Sequence, residues 1–235
     1  MKQILLLAAA IVSVAQLGVA SPCTVGTLAS YVALGSTGCS IGGDTLYNFQ
    51  ILPGSNVTEL SGSSVTLSAM GGTYNPGITI SINQSAVAFN AIETMFTYDI
   101  SGPTFTGISS ALGGSSESTA SDGVTGIVNY CDGGSFGPDG VDGCTKPNGS
   151  LLTVDGVQNS ITGSIANVSF INVTDDFMLD SGGGTAKGGT LTNSFTAVPE
   201  PVNTALAGLG LALAGALRFR SMRASKRSSN KKEED

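Results

Sequence analysis

Through the middle of the chain, apolar and polar residues alternate with a period of two. Ile78, Ile80 and Ile82 interleave with Thr79 and Ser81, the pattern of a strand with one face buried. The same alternation runs through 46–51, 65–69, 87–89, 95–100, 127–130, 165–171 and 191–195. Turn formers separate these runs: Pro53 and Gly54, Gly71 and Gly72, Asn75 to Gly77, Gly133 and Gly134, and Gly182 to Gly184. Short strands at roughly ten-residue spacing with Gly and Pro between them predict an antiparallel β-sandwich or a barrel-like fold. Only 113–123 lacks the pattern, and disorder is expected there alone. One segment has a different period. Leu28, Tyr31 and Val32 fall at i, i+3 and i+4, Thr27 is a capping residue and Gly35 a stop, which predicts a single short helix over 27–34. No fixed repeat recurs, so a β-solenoid is not expected.

Both ends depart from this pattern. Lys2 precedes an apolar run over 4–15 broken only by Ser13, and Gly18 and Ala20 place small residues at −3 and −1 of a cleavage position. This is the layout of a secretory signal peptide over 1–20. Near the other end, Val198, Pro199, Glu200 and Pro201 form an extended linker, since two prolines remove backbone donors and disfavour helix. The apolar stretch that follows, 202–217, would be about 24 Å long as a helix. It approaches the roughly 30 Å of a bilayer core once Phe219 joins it and the flanking arginines snorkel. The chain therefore reads as a secreted ectodomain over 21–197, a linker over 198–201, a transmembrane anchor helix over 202–219 and a basic cytoplasmic tail over 220–235.

Charge sharpens this division. The net charge is −7, yet seven of the ten basic residues lie in the last eighteen positions. Between 21 and 197 only Lys146 and Lys187 are basic, against thirteen Asp and Glu. A domain so poor in clustered Lys and Arg cannot track a phosphate backbone, so nucleic acid is not a partner. The chain has no His, which removes the usual triad base, the commonest acid–base group and the commonest metal ligand. No cofactor and no catalytic residue is expected.

An exported chain oxidises its cysteines. Cys23, Cys39, Cys131 and Cys144 allow three pairings. Local pairing, Cys23 with Cys39 and Cys131 with Cys144, is favoured because each closes a short segment rich in Gly and turn residues. Linking Cys23 to Cys131 or Cys144 stays open on sequence grounds. A structural zinc site lacks both His and a C-x-x-C motif.

Three groups of side chains invite a chemical reading. Asp132, Asp139 and Asp142 lie within or beside the loop that Cys131 and Cys144 would close, and are candidate calcium ligands. The loop departs from the spacing of a calcium-binding helix–loop–helix, and Asp residues that simply shape turns are the competing explanation. Asp175, Asp176 and Asp180 form an acidic cluster. A glycan hydrolase needs two carboxylates facing one another across a cleft, and spacing does not say whether any two of these do. The segment 183–188 is Gly-rich and holds Lys187, but Gly188 follows the lysine where a phosphate loop has Ser or Thr. A hairpin connection is the better reading.

Taken together, Pro199-Glu200-Pro201, the short apolar helix with its Gly-Leu-Gly, and the arginines Arg218, Arg220 and Arg223 resemble the PEP-CTERM sorting signal of Gram-negative bacteria. The resemblance covers about 25 to 30 C-terminal residues. The basic cluster is interrupted here, and a further segment, 221–235, follows it. The resemblance implies that Pro199, Glu200 and Pro201 are the recognition motif, 205–217 a transient anchor, and Arg218, Arg220 and Arg223 the stop-transfer element. It also implies an exosortase-type membrane enzyme as partner and a setting of exopolysaccharide or biofilm. The expected course is a single-pass inner-membrane precursor that becomes a cell-surface or extracellular protein after processing. The alternative is a permanently anchored surface adhesin or polysaccharide-binding protein.

Overall fold

The computed structural model describes residues 20–54 and 57–198. The expected signal peptide up to residue 19, the expected sorting motif at Pro199, Glu200 and Pro201, the expected anchor over 202–219 and the arginines Arg218, Arg220 and Arg223 lie outside the described residues.

Fourteen strands and one helix make up the described chain. After β1 (Gly26–Thr27) comes α1 (Leu28–Val32), then β2 (Cys39–Ile41), β3 (Asp44–Ile51), β4 (Thr58–Glu59), β5 (Val65–Met70), β6 (Gly77–Ile82) and β7 (Ser85–Val87). The long β8 (Ala91–Gly113) follows, then β9 (Ser116–Glu117), β10 (Gly123–Asp132), β11 (Asn148–Val154), the long β12 (Ser160–Asp180), β13 (Thr185–Lys187) and β14 (Thr190–Val198). Eleven strands form one sheet whose main path is β1-β5-β6-β14-β8-β12-β10-β11, with β3 and β4 also pairing to β8 and β2 to β3. The short strands β7, β13 and β9 form a second sheet. All pairings are antiparallel except that of β4 with β8. The mainly β, sandwich-like expectation is met.

The helix forms where the periodicity places it. Thr27 caps it, its hydroxyl oxygen accepting from Ser30 N at 3.2 Å, and Gly35 turns the chain away at φ +55°. Leu28 and Tyr31 are its buried face. The Cys23–Cys39 disulfide, with a Cα separation of 4.8 Å, ties this segment to β2.

The two long strands organise the fold. β8 is 23 residues and β12 is 21, far beyond the usual five or six. They pair along their lengths, but the register shifts around Val168, close to Asn167 at φ +51° and opposite Gly102 and Pro103. Each strand thereby serves two regions. Residues 91–101 of β8 pair with β3 and with 170–180 of β12, whereas 104–113 pair with β14 and with 160–168. Side chains from both halves enclose one core. Phe96, Tyr98 and Ile100 from the first half are all fully buried, as are Phe105 from the second and Phe195 from β14. Phe49 stacks on Tyr98 with centroids 5.3 Å apart, and Tyr31 meets Phe49 edge-on at 5.0 Å.

Two expectations require correction. The run 87–89 is not a strand throughout: β7 stops at Val87, and Ala88 and Phe89 take left-handed backbone angles of +52° and +65°. The segment 113–123 is folded, because Asp122 substitutes for the missing hydrophobic pattern. Its carboxylate accepts from Ser118 N and Oγ, Thr119 N, Gly184 N and Thr185 N at 2.8–3.1 Å. Burial opposes its ionisation, but these donors more than reverse that and hold the carboxyl at about 2. Asp122 thus pins β9 beside β13.

Candidate functional site

The strand pair β8–β12 has an inner and an outer face, because side chains alternate. Phe96, Tyr98 and Ile100 point inward with Ile171, Val173 and Asp175. Thr97 and Asp99 point outward with Asn172, Thr174 and Asp176, since Asn172 stands directly opposite Asp99 and Thr174 opposite Thr97. The outward face is polar and two loops approach it.

On that face Asp99 is the centre of a network. Its Oδ2 accepts from Asn48 Nδ2 at 2.7 Å and its Oδ1 from Asn172 Nδ2 at 2.7 Å. Asn172 Nδ2 also approaches Thr97 Oγ1 at 3.1 Å. Asn172 Oδ1 in turn accepts the backbone N–H of Phe136 at 3.0 Å. Burial raises the Asp99 carboxyl pKa, and the two amides partly offset it. Asn48 reaches this position through a bulge: the pairing of β3 with β8 shifts between Tyr47 and Gln50, and Asn48 sits at φ +54°. Asparagine tolerates that region better than most residues, and bulges re-aim side chains.

The segment closed by Cys131 and Cys144, whose Cα atoms are 5.9 Å apart, forms the opposite wall. Asp139 Oδ1 accepts from Val141 N and Asp142 N at 3.2 and 3.1 Å, and Gly137 N donates to Asp142 O at 2.7 Å. Gly140, at φ +73°, lies where a Cβ would run into Leu52 and come within 3.0 Å of Thr174 Oγ1. Only glycine lets the loop press onto the sheet so closely. Between loop and sheet lies a cleft of about 290 Å³ lined by Asn48, Gln50, Thr97, Asp99, Asn172 and the segment Ser135 to Pro138. It combines amides, a hydroxyl and one carboxylate with the half-buried ring of Phe136. A larger open groove of about 760 Å³ runs beside Tyr31 and Cys39, but no charged side chain lines it.

The candidates read from the sequence are distributed otherwise. Cys23 with Cys39 and Cys131 with Cys144 form the two local disulfides, and no cysteine is free. Asp132 is buried on the inner side, where its Oδ2 accepts Ala166 N at 3.0 Å and supports the bend in β12. Asp139 and Asp142 serve the turn of the loop, so the three do not converge. Among the described residues no group of three or more carboxylate or thiol side chains is placed to hold a metal ion. Asp175 and Asp176 point to opposite faces of β12. Asp175 is fully buried, with Oδ1 accepting Asn193 Nδ2 at 2.6 Å, and Asn193 also approaches the Tyr98 hydroxyl at 3.4 Å. Burial drives the Asp175 carboxyl up to about 8. Asp176 lies on the outer face, where burial and the neighbouring Glu93 carboxyl push its pKa upward. Asp180 is exposed at the strand end. No two of the three face each other across a cleft.

Asn48, Gln50, Thr97, Asp99 and Phe136 were not singled out from the sequence, where Asn172 stands out only as the first residue of an Asn-x-Thr triplet. One trace was there: the apolar positions Leu46 and Phe49 are three apart, not two, and both are buried, which marks a bulge between them.

No family model matches the chain, and no curated protein sequence does. Among solved structures it is similar to TmCBM61, determined in complex with β-1,4-galactotriose, at 10% identity and a TM-score of 0.28 over 56% of this chain and 88% of that one. A likeness at that identity and TM-score establishes neither a shared fold nor a shared ligand.

Proposed function

We propose that the protein is an exported cell-surface or matrix component whose β ectodomain binds a polysaccharide without chemically altering it. In this reading its C-terminus is a PEP-CTERM signal that an exosortase-type enzyme removes. The observation that carries the binding reading is the fixed Asn48–Asp99–Asn172 ladder beside Phe136. Sugar hydroxyls need donors and acceptors at set positions, and here each Asp99 oxygen is held by an amide while Gln50 and Thr97 add further groups. A carboxylate keeps spare acceptor sites even with two hydrogen bonds made. An aromatic ring offers an apolar surface to the C–H face of a pyranose. The cleft suits a neutral, hydroxyl-rich segment, since the Asp99 carboxylate repels anions.

A single cleft carboxylate held by two amides argues for binding over hydrolysis, which uses two carboxyl groups about 5 Å or more apart. The sorting reading rests on residues 198–223 of the sequence. There, the Pro-Glu-Pro motif precedes a short apolar stretch rich in Gly and Ala and then Arg218, Arg220 and Arg223.

The test has two arms. The full-length protein is titrated against neutral and acidic tetrasaccharides: wild type should bind a neutral one, and Asn172→Ala should weaken it at least tenfold. Equal binding by the variant, or no neutral ligand at all, would overturn the cleft assignment. In cells, Glu200→Ala should accumulate as a membrane-retained precursor. Normal release with an unchanged C-terminus would leave the permanently anchored surface protein in its place.

A further inference from the structure

The small sheet β7–β13–β9 carries a surface that the cleft does not explain. Phe89 is 81% exposed, and it follows Ala88 in a turn where both residues have positive φ. That backbone is unfavourable for any residue with a Cβ, and more so for a bulky one. The turn is held by Ala88 N donating to Gly184 O at 3.1 Å. The largely exposed Phe89 ring lies beside Gly183, where a Cβ would stand 3.3 Å from Phe89 Cε1 and Cζ. Val87 pairs with Thr185, Ala86 with Ala186 and Ser85 with Lys187. Ala86 and Ala186 are buried, so Ser85, Val87, Thr185 and Lys187 share the outer face. Val87 is 48% exposed, and Lys187 is exposed and has no ion-pair partner among the described residues. It is one of two basic residues in a region with thirteen carboxylates.

We propose that Phe89, Val87 and Lys187 form a second binding surface that takes an anionic saccharide, a chain containing uronic acids. One sugar ring lies with its C–H face on the Phe89 ring, and the carboxylate of a ring further along meets Lys187 Nζ. Charge decides the class of ligand. An anionic chain is repelled by most of this acidic domain, so a solitary unpaired ammonium beside an exposed ring fixes where it can settle. Size decides against a protein partner: one ring and one valine give an apolar area far below that of a stable protein interface. Val87 and Lys187 are two register positions apart, roughly 7 Å along the strand direction at about 3.3 Å per residue, and Phe89 follows Val87 in the turn, so linked pyranoses can reach from the ring to the ammonium. Thr185 supplies a hydroxyl between them, and Ser85 one beside Lys187. The proposal deepens the saccharide-binding reading but rests on residues outside the Asp99 cleft.

Calorimetric titration of the oxidised full-length protein with tetragalacturonate and with cellotetraose at low salt tests it. Wild type should bind tetragalacturonate, with affinity falling as salt rises. Phe89→Gly and Lys187→Gln should each weaken that binding at least tenfold, whereas Asn172→Ala should leave it within twofold. Glycine suits the positive φ, so Phe89→Gly should unfold at a temperature no lower than wild type, which separates lost binding from lost folding. Absence of tetragalacturonate binding, equal binding by both variants, or a clear fall in the unfolding temperature of Phe89→Gly would overturn the proposal. A loss of cellotetraose binding in Asn172→Ala alongside any of these would leave the cleft reading standing.

Discussion

Two aspartates with asparagine partners, Asp99 on β8 and Asp175 on β12, point to opposite faces of that strand pair, and they behave differently. On the outer face Asp99 has both oxygens held by amides, from Asn48 and Asn172, and it borders a cleft open to solvent. On the inner face Asp175 has one oxygen held by Asn193, while its Oδ2 has no hydrogen-bond partner among the described residues. The chemistry is nearly the same and the surroundings are not. Two charge-assisted hydrogen bonds and nearby water keep Asp99 usable as an acceptor for a ligand. Full burial, only partly offset by the Asn193 amide, and the neighbouring Asp176 carboxyl push Asp175 to about 8, so it holds its proton at neutral pH. A polar residue on a strand becomes a binding group or an internal proton store according to which face its neighbours cover.

The largest test of this contrast is the pH dependence of stability. Asp175 has a folded pKa of about 8, above an unfolded value of about 3.9. Its favourable contribution is therefore complete below about pH 4. It is lost as pH rises towards 8, because the unfolded chain releases the proton first. The slope is at most about 1.4 kcal/mol per pH unit for one proton. Asp44, buried and raised to about 6, adds loss of the same sign up to its own value. Asp175→Asn should remove its share: thermal unfolding should show little change at pH 4 and a clear rise in stability over wild type at pH 8. Parallel pH profiles for the two proteins would mean that Asp175 ionises freely in the fold.

A smaller effect separates the two disulfides. Each closes a loop of similar length, 16 and 13 residues apart, and removing either should cost about 3 kcal/mol in the chain-entropy account. Only Cys131 and Cys144 hold the wall that carries Phe136. The double variant Cys131→Ser/Cys144→Ser should lose neutral saccharide binding at temperatures where it remains folded. Cys23→Ser/Cys39→Ser should keep it under the same conditions. Denaturation midpoints measured beside titrations distinguish them.

The smallest effect is at the bulge. Asn48→Gly relieves a left-handed side-chain residue and deletes one amide from Asp99, so the stability change should stay within about 1 kcal/mol of zero. Neutral saccharide affinity should nevertheless fall severalfold, because Asp99 is no longer held on both sides. A large stability loss with affinity retained would show that Asn48 serves the fold and not the cleft.

Much of the architecture was legible in the chain. Period-two alternation located strands in β3, β5, β6, β8, β10, β12 and β14, because a half-buried strand must place apolar groups on one side. Thr27 and Gly35 bounded the helix for local reasons, a capping hydroxyl and a residue free to turn left-handed. Short Gly-rich intervals favoured the pairing of all four cysteines. Alternation could not show that β8 and β12 continue through a bend, since Gly102, Pro103 and Asn167 read locally as a turn. Nor could it show that Phe89 sits in a strained turn, or that Asp122 gathers donors from Ser118 and Gly184, more than sixty residues apart in the case of Gly184.

By itself, then, the sequence determined a β-rich domain with its cysteines spaced for local closure. These follow from composition and short-range periodicity. Tertiary structure alone decided which polar residues meet. Asn48, Asp99, Phe136 and Asn172 come from four separate segments, and only strand register and the closed loop bring them together. The faces of Asp175 and Asp176 followed from their alternation, but whether each face was covered depended on β14 and on the loops after β3 and β10. Burial, and with it protonation, is a property of what packs on a side chain, and that partner is chosen by long-range pairing.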